Sequence, residues 1–282
     1  MFVEAGSFIA KLAWEHKATL LEHIPKLLDY LKNGPRCLVV FGSGGVGKTT
    51  VGNLLSGSLD LGANLNSYIE SENTETLSLK SKVYASLLVA AGQERRRDVS
   101  WNDLFQKVSA GDVAGILNVV AWGCHSIEGL ADYKEHKVYL EWKNAHPNDS
   151  LSIEDFAKLF QQAMLEEELQ ALKIIEPHLT SAKNRIWMLT VVAKQDLWWD
   201  KRYDVKSHYQ SGEYEEVIAS IRLKRGQSNF YHEYVSASFK WENLMVAKDT
   251  LASTVAGYDD RIQRLNLSKL SQSIKQLVEN HK

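Results

Sequence analysis

The sequence predicts an α/β domain with a mostly parallel central sheet flanked by helices. Two observations carry that expectation. Short continuous apolar runs, which read as strands buried on both faces, alternate with segments whose apolar residues recur at helical spacing. A glycine-rich loop follows the first of these runs directly, and a helical pattern follows the loop. The composition fits: 44% hydrophobic and 24% charged residues are ordinary for a folded chain and too apolar for a disordered one.

Residues 1–34 read as a helical extension, with Leu20, Leu21, Ile24, Leu27, Leu28 and Leu31 at helical spacing, a kink expected at Pro25 and a stop at Asn33-Gly34-Pro35. Residues 35–282 then form the main domain. Its strands are expected at 37–41, around Leu77-Ser78-Leu79, and at 83–91, 114–122, 186–193 and 231–237. Helices are expected from Thr49 to about Leu59, at 101–108, and at 152–176. Ser152 and Asp155 form a capping box at the start of the last, and Pro177 stands beyond its end. Tyr214, Val217, Ile218 and Ile221 stripe a further helix, and Leu267, Leu270, Ile274, Leu277 and Val278 the last. Glu166-Glu167-Glu168 reads as a solvated helix face. Residues 123–150 read as an insertion whose histidines, His125, His136 and His146, match no metal spacing.

Charge and cysteine usage narrow the classes. Lys plus Arg is 33 against 35 Asp plus Glu, a net charge of −2, so nothing indicates a nucleic-acid-coating protein. Two cysteines, Cys37 and Cys124, are too few for a disulfide scaffold and are expected to be buried thiols. No apolar stretch approaches the roughly 18–20 residues of a transmembrane segment. Residues 1–12 carry Glu4 where a secretory signal would be positive. The expected location is cytoplasmic.

The chemistry is concentrated after the first strand, in Gly42-Ser43-Gly44-Gly45-Val46-Gly47-Lys48-Thr49-Thr50. This fits G-x-x-x-x-G-K-[ST] in full and in the strand–loop–helix context that the motif requires. Glycines let backbone N–H groups wrap a phosphate, and the helix N-terminus adds partial positive charge. Lys48 would reach the β- and γ-phosphates, the Thr49 hydroxyl would bind Mg2+, and Thr50 would touch the α-phosphate.

Three later pieces, in order, resemble the Ras-like small GTPases, so the fold implied is a P-loop NTPase of the Ras-like G-domain kind. Val89-Ala90-Ala91-Gly92-Gln93-Glu94 is similar to the family's D-T-A-G-Q-E. Ala193-Lys194-Gln195-Asp196-Leu197 is similar to its N-K-x-D-L, and Val235-Ser236-Ala237-Ser238 to its S-A-K loop. The resemblance implies GTP or GDP with Mg2+ as ligands, and a slow GTPase acting as a molecular switch. Gln93 would orient the attacking water, and Gly92 would be among the nucleotide-binding residues. Lys194 would pack along the base, while Asp196, with Ser236 and the Ala237 amide, would read guanine. Thr74 or Thr76 would add a second hydroxyl to Mg2+. A carboxylate at Asp196 can accept from guanine N1–H and its 2-amino group, whereas adenine would leave it unsatisfied at a cost of about 1–3 kcal/mol. Three positions depart from the pattern: Val89 stands where the family's aspartate orients Mg2+ through water, Ala193 where an asparagine braces the base loop against the phosphate loop, and Ser238 where S-A-K has lysine.

Those departures keep two other functions open. One is a pseudo-GTPase that serves as an interaction scaffold. The other is a P-loop ATPase of the signalling or partitioning type, whose loops also read G-G-V-G-K-T-T, although no carboxylate follows an apolar strand as such an enzyme needs. A protein effector or regulator is the expected partner. Arg95-Arg96-Arg97 reads as a solvated helix start or a partner-binding cluster, and Trp198-Trp199 as packing.

Overall fold

The computed structural model describes residues 37–55, 75–78, 86–89, 97–127 and 129–280. The expected helical extension at 1–34, Thr74, Gly92, Gln93, Arg95 and Arg96 lie outside the described residues.

Strand β1 (Cys37–Phe41) is buried along its whole length because it lies inside a six-stranded sheet of order β2-β3-β1-β4-β5-β6. β2 (Glu75–Ser78) pairs antiparallel with β3 (Ser86–Val89). β3, β1, β4 (Val113–Val120), β5 (Ile186–Val192) and β6 (Phe230–Ser236) are parallel neighbours. Such a sheet must be covered on both faces, and the alternation of side chains assigns each face its helices. Val39 and Phe41 point into a layer made by α2 (Arg97–Ala110), α4 (Ile153–Ser181), α5 (Arg202–Ser211) and α6 (Glu213–Arg225). Leu38 and Val40 point to the opposite layer, made by α1 (Lys48–Leu55) and α7 (Asp260–Asn280). Phe41 packs on Trp101 and Phe105 of α2, with ring centroids 4.7 and 6.1 Å away. Each large apolar side chain buried in these layers is worth about 1.5–3 kcal/mol relative to exposure.

The α/β class, the near-parallel sheet and most elements stand where the apolar runs put them. Three features differ. α4 runs 29 residues and contains Pro177, which the sequence placed beyond the end. Pro177 and Lys173 are both exposed, so the hydrogen bond that proline denies to the Lys173 carbonyl is lost on the solvent side. Buried Leu179 anchors the turn beyond it. The 123–150 segment holds the short helix α3 (Lys137–Ala145). A ribbon of β7 (Leu244–Val246) and β8 (Asp249–Ala252) follows β6, which the periodicity did not reveal. Among the described residues, no helix is long and apolar enough to cross a membrane. Cys37 and Cys124 are buried, and burial pushes the Cys124 thiol up to about 12, which makes it unreactive.

Candidate functional site

The order of the sheet reverses at β1, which has β3 on one side and β4 on the other. Open α/β sheets bind ligands outside the carboxyl ends of strands at such a point. The glycine loop of residues 42–47 leaves β1 there. At Gly42 φ is 136°, and a Cβ would meet the Val119 carbonyl oxygen at 2.1 Å. At Gly45 φ is 72°, and a Cβ would lie 2.5 Å from the Ser126 carbonyl oxygen. Both positions therefore need glycine. Lys48 opens α1 and is only 6% exposed. Its Nζ donates to the Ser43 carbonyl at 2.5 Å, which folds the amine back across the loop. Ser43 Oγ donates to the Glu167 carbonyl of α4 at 3.4 Å. Val46 is fully buried, while Gly44, Gly47, Thr49 and Thr50 are partly exposed.

The residues expected to read a base gather at the ends of β5 and β6. Lys194 follows β5 with φ of 54°. Its Nζ donates to the Cys124 carbonyl at 2.7 Å and to Ser126 Oγ at 2.8 Å, and burial lowers its amine to about 8. Asp196 is 1% exposed. Its Oδ1 accepts from the Ser238 hydroxyl and its Oδ2 from Thr254 Oγ1 at 3.4 Å, while its backbone carbonyl accepts from the Val255 amide at 2.8 Å. Burial raises the pKa of this carboxyl, against the opposing pull of those hydrogen bonds. Ala237 is fully buried and its amide donates to the Val192 carbonyl at 3.0 Å. Ser236 lines a cavity of about 240 Å³ beneath α5 with Val192, Trp198, Arg202 and Tyr234. Trp198 is core packing, its Nε1 donating to the Ala193 carbonyl at 2.8 Å. Thr76 stands in β2 and Val89 at the end of β3.

Between the two groups lies the turn after β4. It corrects one expectation. Glu168 is not on a solvated face: it is 1% exposed, although Glu166 beside it is exposed. Its Oε1 accepts from the amides of Ala121 (2.8 Å) and Gly123 (3.2 Å) and lies 2.8 Å from His125 Nε2. Its Oε2 accepts from the Tyr209 hydroxyl at 2.5 Å. Burial works to raise its pKa, and the hydrogen bonds and His125 more than offset that, holding it below the usual carboxylate range. His125 is a buried partner of that carboxylate, a packing role and not a metal one. Glu168, His125, Tyr209, Ser126 and Thr254 escaped the sequence reading because each acts across a long stretch of chain. One signal was present: Phe156, Phe160, Met164, Glu168 and Leu172 repeat every fourth residue, which puts Glu168 on the buried stripe of α4.

Among the described residues, no three His, Cys, Asp or Glu side chains gather as a metal site.

No protein-family model matches the chain, and no curated protein matches its sequence. Solved structures do match. A small COPII coat GTPase, an ADP-ribosylation-factor-like GTP-binding protein from Encephalitozoon cuniculi in complex with GDP, is 14% identical with a TM-score of 0.45, over 99% of this chain and 94% of that one. A signal recognition particle receptor GTP complex from Chaetomium thermophilum is 13% identical with a TM-score of 0.37, over 84% and 97%. The GDP form of that receptor is 10% identical with a TM-score of 0.38, over 86% and 97%. At these values the likeness extends to no residue's role.

Proposed function

We propose that this chain binds a guanine nucleotide with Mg2+ and hydrolyses GTP slowly as a molecular switch. The observation that carries the proposal is the glycine loop itself. It leaves the end of a central parallel strand at the reversal point of the sheet and runs into a helix whose first residue is the buried Lys48. Amides, helix N-terminus and amine converge there on a place suited to a polyphosphate. Lys48 would leave the Ser43 carbonyl to neutralise the β- and γ-phosphates, and Thr49 would hold Mg2+, which supplies further charge neutralisation when bound. Such catalysis is positioning and electrostatics, with Gln93, named by the sequence motif, orienting water.

Guanine is the base that Asp196 and the Ala237 amide would read. For that, Ser238 and Thr254 must yield the carboxylate and Val192 the amide. This internal occupation, together with apolar Val89, supports a second reading: an interaction scaffold that holds its base-side loops closed.

Calorimetric titration with Mg2+ complexes of GDP, a non-hydrolysable GTP analogue and a non-hydrolysable ATP analogue separates the two. The switch reading expects guanine preferred at least about tenfold, roughly 1.4 kcal/mol, with binding largely lost in Lys48→Ala. No binding by wild type supports the scaffold. Equal guanine and adenine affinity returns the ATPase reading.

A further inference from the structure

Two loops that must hold a fixed distance for one ligand to span them have no direct side-chain bridge at Ala193. Its amide donates to the Val120 carbonyl at 2.7 Å and its carbonyl accepts from Trp198 Nε1, so neither backbone group reaches the phosphate side. The connection runs instead through the turn after β4. The Ser126 amide donates to the Gly45 carbonyl at 3.0 Å on the phosphate side. Ser126 Oγ and the Cys124 carbonyl receive the Lys194 amine on the base side. So residues 124–126 touch both loops.

This turn is irregular backbone in the interior, and its amides need acceptors. Trp122 and Gly123 have φ of 53° and 69°. Glu168 supplies one oxygen to Ala121, Gly123 and His125, and its other oxygen anchors Tyr209. The Tyr209 hydroxyl in turn accepts from the Trp122 amide at 3.0 Å. Gln161 closes the set by donating to the Trp122 carbonyl at 3.0 Å. A buried carboxylate is expensive unless its lone pairs are filled, and here each hydrogen bond fixes a stretch of the same turn.

We propose that the turn of residues 121–126 is the brace between the phosphate loop and the base-side loop, and that Glu168 is the positioning residue that sets it. The proposal rests on the nucleotide-binding reading above for its function, though not for its geometry. Glu168 touches no ligand in this scheme. It acts through Ser126 on Gly45 and through Cys124 and Ser126 on Lys194.

The test is hydrogen exchange on the full chain, read on peptides covering 42–50 and 121–126, together with titration by Mg2+–GDP, for wild type, Glu168→Ala, Glu168→Gln and Lys194→Met. In Glu168→Ala, exchange should rise about tenfold or more in both segments while β5 and α7 keep their protection. Glu168→Gln keeps a carbonyl oxygen to accept from the amides but sets an NH2 against the donating Tyr209 hydroxyl, so it should loosen both segments less than Glu168→Ala does. Lys194→Met should loosen both segments and weaken GDP binding about tenfold. Loosening of 121–126 in Glu168→Ala with 42–50 unchanged would overturn the brace. If Glu168→Ala loses protection throughout, Lys194→Met decides, and unchanged exchange at 42–50 in that variant refutes the proposal. A wild type that binds no GDP removes the nucleotide reading alone, because the exchange comparison still decides the brace.

Discussion

His232, half-buried in β6, carries the clearest charge cost among the described residues. Its Nε2 lies 2.9 Å from Thr190 Oγ1, which is 3.1 Å from the Tyr214 hydroxyl, and that hydroxyl accepts from Asn118 Nδ2 at 2.5 Å. Burial, with the nearby Arg222 charge adding to it, lowers the His232 pKa to about 3. An unfolded chain would titrate this ring near 6.5. Between those values the unfolded state holds one proton more than the folded state, so stability rises with pH. The contribution is complete above about pH 6.5 and is lost as pH falls toward 3, at about 1.4 kcal/mol per pH unit for a single proton. Urea titrations from about pH 7 down to 5, a window above most carboxylate pKa values, should show that slope in wild type. His232→Gln should flatten it. An equally steep fall in the variant would assign the acid sensitivity elsewhere.

At the scale of the element, α4 shows what local sequence can and cannot encode. Its start is fully local. Ser152 Oγ accepts from the Asp155 amide at 3.1 Å and donates to the Asp155 carboxylate at 3.0 Å, as a capping motif three residues apart requires. Ser152→Ala should cost about 1 kcal/mol in a urea titration and leave nucleotide affinity unchanged, since the cap lies four turns from Glu168. The strands were legible for a related reason: burial on both faces leaves a continuous apolar run, and β1, β4 and β5 are such runs. The glycine loop at the end of β1 was legible because its motif is contiguous. The surroundings of Asp196 were legible only as residue types. That Asp196 meets Thr254, 58 positions on, depends on how the β7–β8 ribbon folds back, and no period announces it. Glu168 is intermediate. Its place on the apolar stripe was readable, but the identity of its partners was not, because the nearest of its donors in sequence lies 41 positions away.

At the scale of the whole molecule, the two apolar clusters lie on opposite faces of one sheet, and the site sits where both end. Val46 and Val51 belong to the α1–α7 side, while Cys124 belongs to the α4 side along with Met164 and Leu172, which flank Glu168 on its helix. The candidate site therefore has no boundary of its own within the domain. Its turn is stitched into the same helix stripe that closes the core.

That stitching has a calorimetric consequence. A pocket carried on loose loops can gain or lose its ligand while the body of the protein melts as before. Here the turn of residues 121–126 is gripped by a side chain in the middle of the main core helix, so a ligand held there should melt off with the core as one cooperative unit. Mg2+–GDP at about a hundred times its dissociation constant would add about 2.7 kcal/mol to the folded state. In a domain of this size that moves the whole heat-capacity peak upward by about 5 °C. A differential scan should show a single peak that shifts without splitting. A low-temperature shoulder that alone responds to nucleotide would mean the turn melts apart from the core. With the grip intact, the melting temperature becomes a direct assay for whatever molecule the glycine loop holds, and it can be run on the unlabelled chain before the chemistry of that molecule is known.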